Sequence, residues 1–253
     1  MTAGLADKVI LVTGAAGGIG AMTARKLGQL GAQVIVNDLT VAGAEVAAQI
    51  EQAGGKALFI QADAANADDV QCLVDTIVEE FGRLDAAVNN AGVDHAHLPL
   101  HEISEEIFDR TIAINLKGVW LCMRSEIAQM LKQGDGGAIV NTASVAGLVG
   151  AGMFGAYAAS KHGVLGLTKT AAIEYAKHGI RVNAVCPSFT NTAMFERGLE
   201  LQPKLLGWVQ RSNPAGRLGE PEEIADAIIW LLSGSASFVH GHALTIDGGM
   251  TIR

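Results

Sequence analysis

The chain has 253 residues, of which 49% are hydrophobic and 17% charged, with a formal net charge of −8. So apolar a chain, without low-complexity runs, buries a substantial core, which excludes disordered and fibrous classes. The acidic balance and the scatter of basic residues argue against nucleic acid and anionic membrane as partners. No apolar run approaches the roughly 20 residues that cross a bilayer, and residues 1–8 show no basic-then-apolar leader pattern, so a cytoplasmic protein is expected. Cys72, Cys122 and Cys186 are odd in number and far apart, which reads as buried thiols rather than a disulfide framework or a zinc site.

In chain order, residues 8–13 form a short β-branched apolar run that predicts a strand, and the glycine-dense turn after it leads into a helical pattern over 18–30. The unit recurs as a strand at 33–37, a helix at 41–53, a strand at 56–61, a helix at 68–81 and a strand at 84–89. A long helix over 105–132, a strand at 137–142, a helix at 157–178 and a strand at 181–186 follow. Apolar strands alternating with helices predict a parallel sheet covered on both faces, a doubly wound α/β fold. No linker divides the chain, so one domain over 1–253 is expected. The least regular stretch, 188–214, follows the C-terminal end of a strand, where open α/β sheets place ligands, and is expected to act as a mobile lid.

Two constellations carry chemistry. The first is Thr13-Gly-Ala-Ala-Gly-Gly-Ile-Gly20, between the first strand and first helix. Glycine lets the backbone pass close to a pyrophosphate, and a helix start offers unpaired N–H groups and a positive dipole end. Asp38 ends the second strand, where a carboxylate accepts hydrogen bonds from an adenosine ribose and repels a 2′-phosphate. No Arg or Lys lies within 14–20 or 37–44 to offset it, so NAD is expected over NADP. The second is Tyr157-Ala-Ala-Ser-Lys161, preceded by Ser144 at a strand end. Residues four apart share a helix face, so the ammonium can favour an ionised phenol, though a Tyr/Lys pair taken alone reads equally as ordinary packing.

Together with Asp63, Asn89-Asn-Ala-Gly92, Asn115, Pro187 and Asp247-Gly-Gly249, these motifs stand in the order and spacing of the short-chain dehydrogenase/reductase family, which the whole chain resembles. The resemblance implies a Rossmann-type fold with a seven-stranded parallel sheet, and a homotetramer built on the two long central helices and the C-terminal strand. It implies that Ser144 holds the substrate oxygen and Tyr157 transfers the proton. Lys161 would lower the phenol's pKa and hold the nicotinamide ribose, while Asn115 would hold a water linking Lys161 to solvent. Gly14, Gly18, Ile19 and Gly20 would cradle the phosphates. Asp38, Asp63, Ala64, Asn90, Ala91 and Gly92 would line the adenosine side, and Pro187, Thr190 and Thr192 the nicotinamide side. Ser188 stands where the family usually has glycine, which changes the local pocket shape.

The substrate pocket is expected to be walled by His95, Val145, Met153, Phe154 and Ser188. His95, His97 and His101 have a spacing that also suits a metal, but Tyr/Lys hydride chemistry needs none, and no metal is expected. The function implied is NAD-dependent interconversion of a secondary, cyclic alcohol and its ketone, with a small alcohol or ketone as partner. The alternatives are a 3-oxoacyl carrier-protein reductase, which lacks support because no basic pair stands at Gln133-Gly-Asp135 or Ile173, and a non-catalytic dinucleotide sensor or scaffold.

Overall fold

The structure, a computed structural model, describes residues 4–201 and 205–252. Seven strands, β1 (Val9–Thr13), β2 (Gln33–Asp38), β3 (Lys56–Gln61), β4 (Ala86–Asn89), β5 (Gly137–Thr142), β6 (Ile180–Pro187) and β7 (Ala243–Ile246), form one sheet in the order β3-β2-β1-β4-β5-β6-β7. Every neighbouring pair is parallel. This is the expected Rossmann-type doubly wound domain, with strand order reversing beside β1.

All five residues of β1 are buried, and they alternate between two cores. Ile10 and Val12 join the cluster under α1 (Gly18–Gln29), α2 (Gly43–Gln52) and α9 (Pro221–Leu232). Val9 and Leu11 join the one under α3 (Ala67–Phe81), α5 (Val119–Gln133) and α6 (Gly155–Tyr175). A strand covered on both faces cannot alternate apolar with polar, which is why these strands read as continuous apolar runs. Because every pair is parallel, every strand's C-terminal end lies at the same edge of the sheet.

Two stretches differ from the sequence reading by more than a boundary shift, and a third in where it starts. The expected helix over 105–132 is α4 (Glu105–Ile112), a π turn over Ala113–Gly118, and α5. The wider turn inserts one residue per cycle and rotates Asn115 into the interior, where it is fully buried. The helix expected from 157 begins two residues earlier, at Gly155. The stretch 188–214 is more regular than expected, with α7 (Ala193–Leu201) and α8 (Leu205–Ser212) around a small apolar cluster that includes Phe189, Phe195 and Val209. Residues 202–204 of that stretch lie outside the described residues.

A polar network crosses the second core. The Asn89 amide donates to Glu126 Oε2 and Asn141 Oδ1, both at 3.0 Å, and the Asn141 amide donates to Thr168 Oγ1 at 2.9 Å. It therefore joins β4, β5, α5 and α6, the elements that carry most of the site. Burial pushes the Glu126 carboxyl up to about 8, although the Asn89 hydrogen bond opposes this. Glu126 Oε1 and Asn89 Oδ1 have no partner among the described residues, which an ionised carboxylate cannot remedy and a protonated one can. A carboxyl whose pKa rises on folding contributes stability below the ordinary carboxylate range and loses it as pH climbs toward 8. Denaturant midpoints of the wild type should therefore fall between pH 5 and pH 8. Glu126→Gln, which keeps a donor and an acceptor at every pH, should flatten that slope and be more stable than wild type at pH 8 by about 1 kcal/mol or more.

Candidate active site

The glycine turn leaves β1 at the edge where the strands end. Gly14 and Gly18 have φ of 62° and 54°, a region L side chains rarely adopt. A Cβ at Gly14 would stand 2.7 Å from Ala91 Cα, so only glycine lets the turn pass under the loop after β4. Thr13 Oγ1 accepts from the backbone N–H groups of Asn90 and Ala91, at 3.0 and 3.1 Å, and the Asn90 amide donates to the carbonyls of Thr13 and Gly14. The turn and the Asn90-Ala-Gly92 loop are thus one rigid unit. Helix α1 begins at Gly18 with no side-chain cap and no acidic residue in its first turn. Helices α3 and α4, by contrast, are capped by Asn66 and Ser104. Orphan N–H groups and the positive dipole end are therefore open to an anion, which fits a dinucleotide pyrophosphate.

Asp38 lies beside this turn, its Oδ2 accepting from Ala16 N at 3.0 Å and its Oδ1 from the N–H and hydroxyl of Thr40. Asp63 Oδ1 takes the Ala65 N–H at 2.8 Å, which shapes the turn after β3, and Ala64 lines a crevice with Thr13 and Ala91. Beyond β6, the Pro187 carbonyl faces Ser144 Oγ at 3.5 Å, and Ser188 N donates to the Ile246 carbonyl. The chain then folds back over the turn. Thr190 pairs with Gly219 in an isolated bridge, and the Thr192 methyl is 3.3 Å from where a Gly18 Cβ would stand. The residues expected on the adenosine, phosphate and nicotinamide sides therefore meet along one edge of the sheet. Ile19 lies between them, in the first turn of α1.

Ser144, at the end of β5, caps the 3-10 turn over Val145–Gly147 through the Ala146 N–H. Its hydroxyl is close enough to the Tyr157 phenol to lower that group's pKa. The Lys161 ammonium is 5.5 Å from the Tyr157 ring centre and donates to the Thr142 carbonyl at 2.8 Å. Asn115 clamps Val93, accepting its N–H and donating to its carbonyl, each at 2.8 Å. A Gly92 Cβ would fall 3.2 Å from Asn115 Oδ1 and 3.6 Å from Lys161 Nζ, which places the two side chains on the same glycine. The four expected catalytic residues are brought together.

Burial dominates their electrostatics. Among the protein's own groups, burial pushes Tyr157 up to about 12, the Ser144 hydrogen bond pulls it down by less, and the Asp94 charge adds to the rise. Burial also pulls Lys161 down to about 8, partly offset by Cys186.

The expected pocket residues split. His95 and Phe154 lie against Tyr157: the Phe154 ring centre is 6.2 Å from that of Tyr157 and 5.6 Å from that of His95. Leu98 N donates to the Met153 carbonyl, stapling the 93–99 loop to the one before α6, and Met153 takes a φ of 68° that strains a non-glycine residue. Val145 is half-buried beside Ser144. Of the histidines, His97 packs edge-on against Phe154 at 4.1 Å, whereas His101 is exposed and pairs with Glu102 at 3.6 Å. Among the described residues no three metal-ligating side chains converge. Sequence reasoning missed Thr142 and the part played by Ser160. Ser160 lies within the Tyr157–Lys161 motif, but only the fold brings Asn115 to it and the Thr142 carbonyl to Lys161.

A family profile described as Enoyl-(Acyl carrier protein) reductase matches residues 14–251. The chain is 45% identical over 247 residues to 2,5-dichloro-2,5-cyclohexadiene-1,4-diol dehydrogenase of Sphingobium indicum, covering 98% of each. It is 43% identical to cis-4-hydroxycyclohexanecarboxylate dehydrogenase of Sinomonas cyclohexanicum, covering 97% of each. The crystal structure of levodione reductase superposes with a TM-score of 0.94 at 37% identity, covering 98% of both chains.

Proposed function

The chain belongs to the short-chain dehydrogenase/reductase family, and we propose that it is an NAD-dependent dehydrogenase of small cyclic secondary alcohols. Members of this family use a nicotinamide dinucleotide, and this chain interconverts a secondary alcohol and its ketone. The observation that carries the reading is the convergence of Ser144, Tyr157 and Lys161 beside the uncapped start of α1. The ring alcohols in the names of both curated relatives support the substrate class. Asp38 supports NAD, because a 2′-phosphate would meet its carboxylate as a like charge.

In oxidation, the substrate hydroxyl enters between Ser144 and Tyr157. Tyr157 as phenolate takes its proton, Ser144 donates to the developing alkoxide, and Lys161 favours the phenolate by charge. When bound, the oxidised dinucleotide supplies the hydride acceptor and a cationic ring. Gly14, Gly18, Ile19 and Gly20 would hold the phosphates, while Asp38, Asp63, Ala64, Asn90, Ala91 and Gly92 would hold the adenosine. Lys161, Pro187, Thr190 and Thr192 would hold the nicotinamide end. The segment 188–214 serves as a lid over the substrate.

We also propose a homotetramer in the cytoplasm. An open apolar groove of about 480 Å³, lined by Ile112, Leu116, Trp120 and Leu167, runs between the π turn and α6 and supports pairing of these helices. The three cysteines are unpaired, which suits a reducing compartment. No described helix is long and apolar enough to cross a membrane. Against a carrier-protein substrate, Ile173 is 82% exposed, and Asp135 pairs with Arg83 rather than offering a basic dock.

Dinucleotide reduction with a panel of cyclic alcohols tests the reading, and no turnover with any of them would leave the sensor alternative. Tyr157→Phe should lower kcat roughly 10²-fold while leaving dinucleotide binding nearly intact, and near-normal turnover would move the proton transfer elsewhere. The wild type should use NAD at least about tenfold better than NADP in kcat/KM, and Asp38→Ala should shrink that ratio; equal use would refute the assignment. Trp120→Glu should lower the sedimenting mass below that of the wild type, which an unchanged mass would contradict.

A further inference from the structure

We propose that His95 is a positioning residue for Tyr157, acting as a remote cap on the first turn of α6. The inference rests on the proposed role of Tyr157 in proton transfer. Helix α6 starts after Phe154 without a side-chain cap, so its first N–H groups need partners from elsewhere. One comes from 62 residues away, where Tyr157 N donates to His95 Nε2 at 3.4 Å.

The two ring nitrogens fix the histidine's form. His95 Nδ1 lies 2.7 Å from the Ala96 carbonyl, which can only accept, so Nδ1 carries a hydrogen. The Tyr157 N–H can only donate, so Nε2 carries a lone pair. Only the neutral Nδ1–H tautomer satisfies both.

The contact also closes a ring of hydrogen bonds around the tyrosine's backbone. The Tyr157 carbonyl accepts from Ser160 Oγ at 2.7 Å, and Ser160 Oγ accepts from the Asn115 amide at 3.3 Å. Asn115 holds Val93 through two bonds of 2.8 Å, and Val93 is two residues from His95. Tyr157 is therefore held at both its N–H and its carbonyl by groups that lead back to one loop. A phenol that must stay within reach of both Ser144 and a substrate oxygen depends on that hold, since small misplacements cost rate.

His95→Phe keeps a ring against Phe154 and removes the acceptor, whereas His95→Gln offers an acceptor without the ring. Steady-state kinetics on one cyclic alcohol should show kcat of His95→Phe lowered about fivefold, the worth of one ordinary hydrogen bond, with the KM for dinucleotide unchanged. His95→Gln should recover more than half of the loss, and Ser160→Ala, which releases the other end, should lower kcat in the same selective way. Melting temperatures accompany each assay, so that a poorly folded variant is read through the other two. Wild-type kcat in His95→Phe, equal loss in the Phe and Gln variants, or a change confined to the KM for alcohol would overturn the inference. Tyr157→Phe assayed alongside separates the two claims, because an active Tyr157→Phe sinks the catalytic reading itself.

Discussion

The site is organised around a lysine ammonium held out of water. Lys161 is 3% exposed, and burying a charge is tolerated only where it is solvated by the protein. Its partner is the Thr142 carbonyl at the end of β5. A Cβ at Gly147 would stand 2.7 Å from the Lys161 backbone carbonyl, so only glycine lets the turn after β5 approach helix α6 this closely. Placing the lysine also places Tyr157 four residues before it, on the same face of α6.

The sheet supplies the geometry, and the polar network behind it holds the geometry fixed. Asn89 and Asn141 are register partners across β4 and β5, and each stands one residue before a functional segment: Asn90 in one case and Thr142 in the other. Their amides, with Glu126 and Thr168, link the two strands to the helices on one face. Apolar packing alone allows neighbouring elements to slide by a fraction of a turn. A chain of directional bonds does not, which gives a buried and imperfectly satisfied network a purpose beyond stability.

What could be read from the sequence follows a physical division. Strands buried on both faces and the glycine turn are local patterns, and the sheet and the cofactor edge were legible from them, whereas the set of Asn115, Ser144, Tyr157 and Lys161 needed the family resemblance. The π turn was not legible, because 105–132 has an unbroken helical pattern and the extra residue is imposed by Asn115 reaching Val93. The helices within 188–214 were hidden by the turn-forming residues around them, and Met153 in a left-handed conformation is imposed by its bridge to Leu98. The direction of the Tyr157 shift was equally illegible. Spacing predicts the cation, whereas only the folded chain reveals how deeply both groups are buried and which acceptor the cation takes.

That last point gives the site its logic. A phenol pushed up to about 12 and a lysine pulled down to about 8 are two groups whose charged forms are both penalised by burial. Ionising the phenol while the amine keeps its proton turns two separate penalties into one attraction in a medium where attraction is strong. The pair is therefore poised for proton transfer, and a bound oxidised dinucleotide would supply a further positive charge that favours phenolate. A preformed phenolate would need no such partner and would bind protons and cations indiscriminately. Burial would thus couple readiness of the base to occupancy of the cofactor edge.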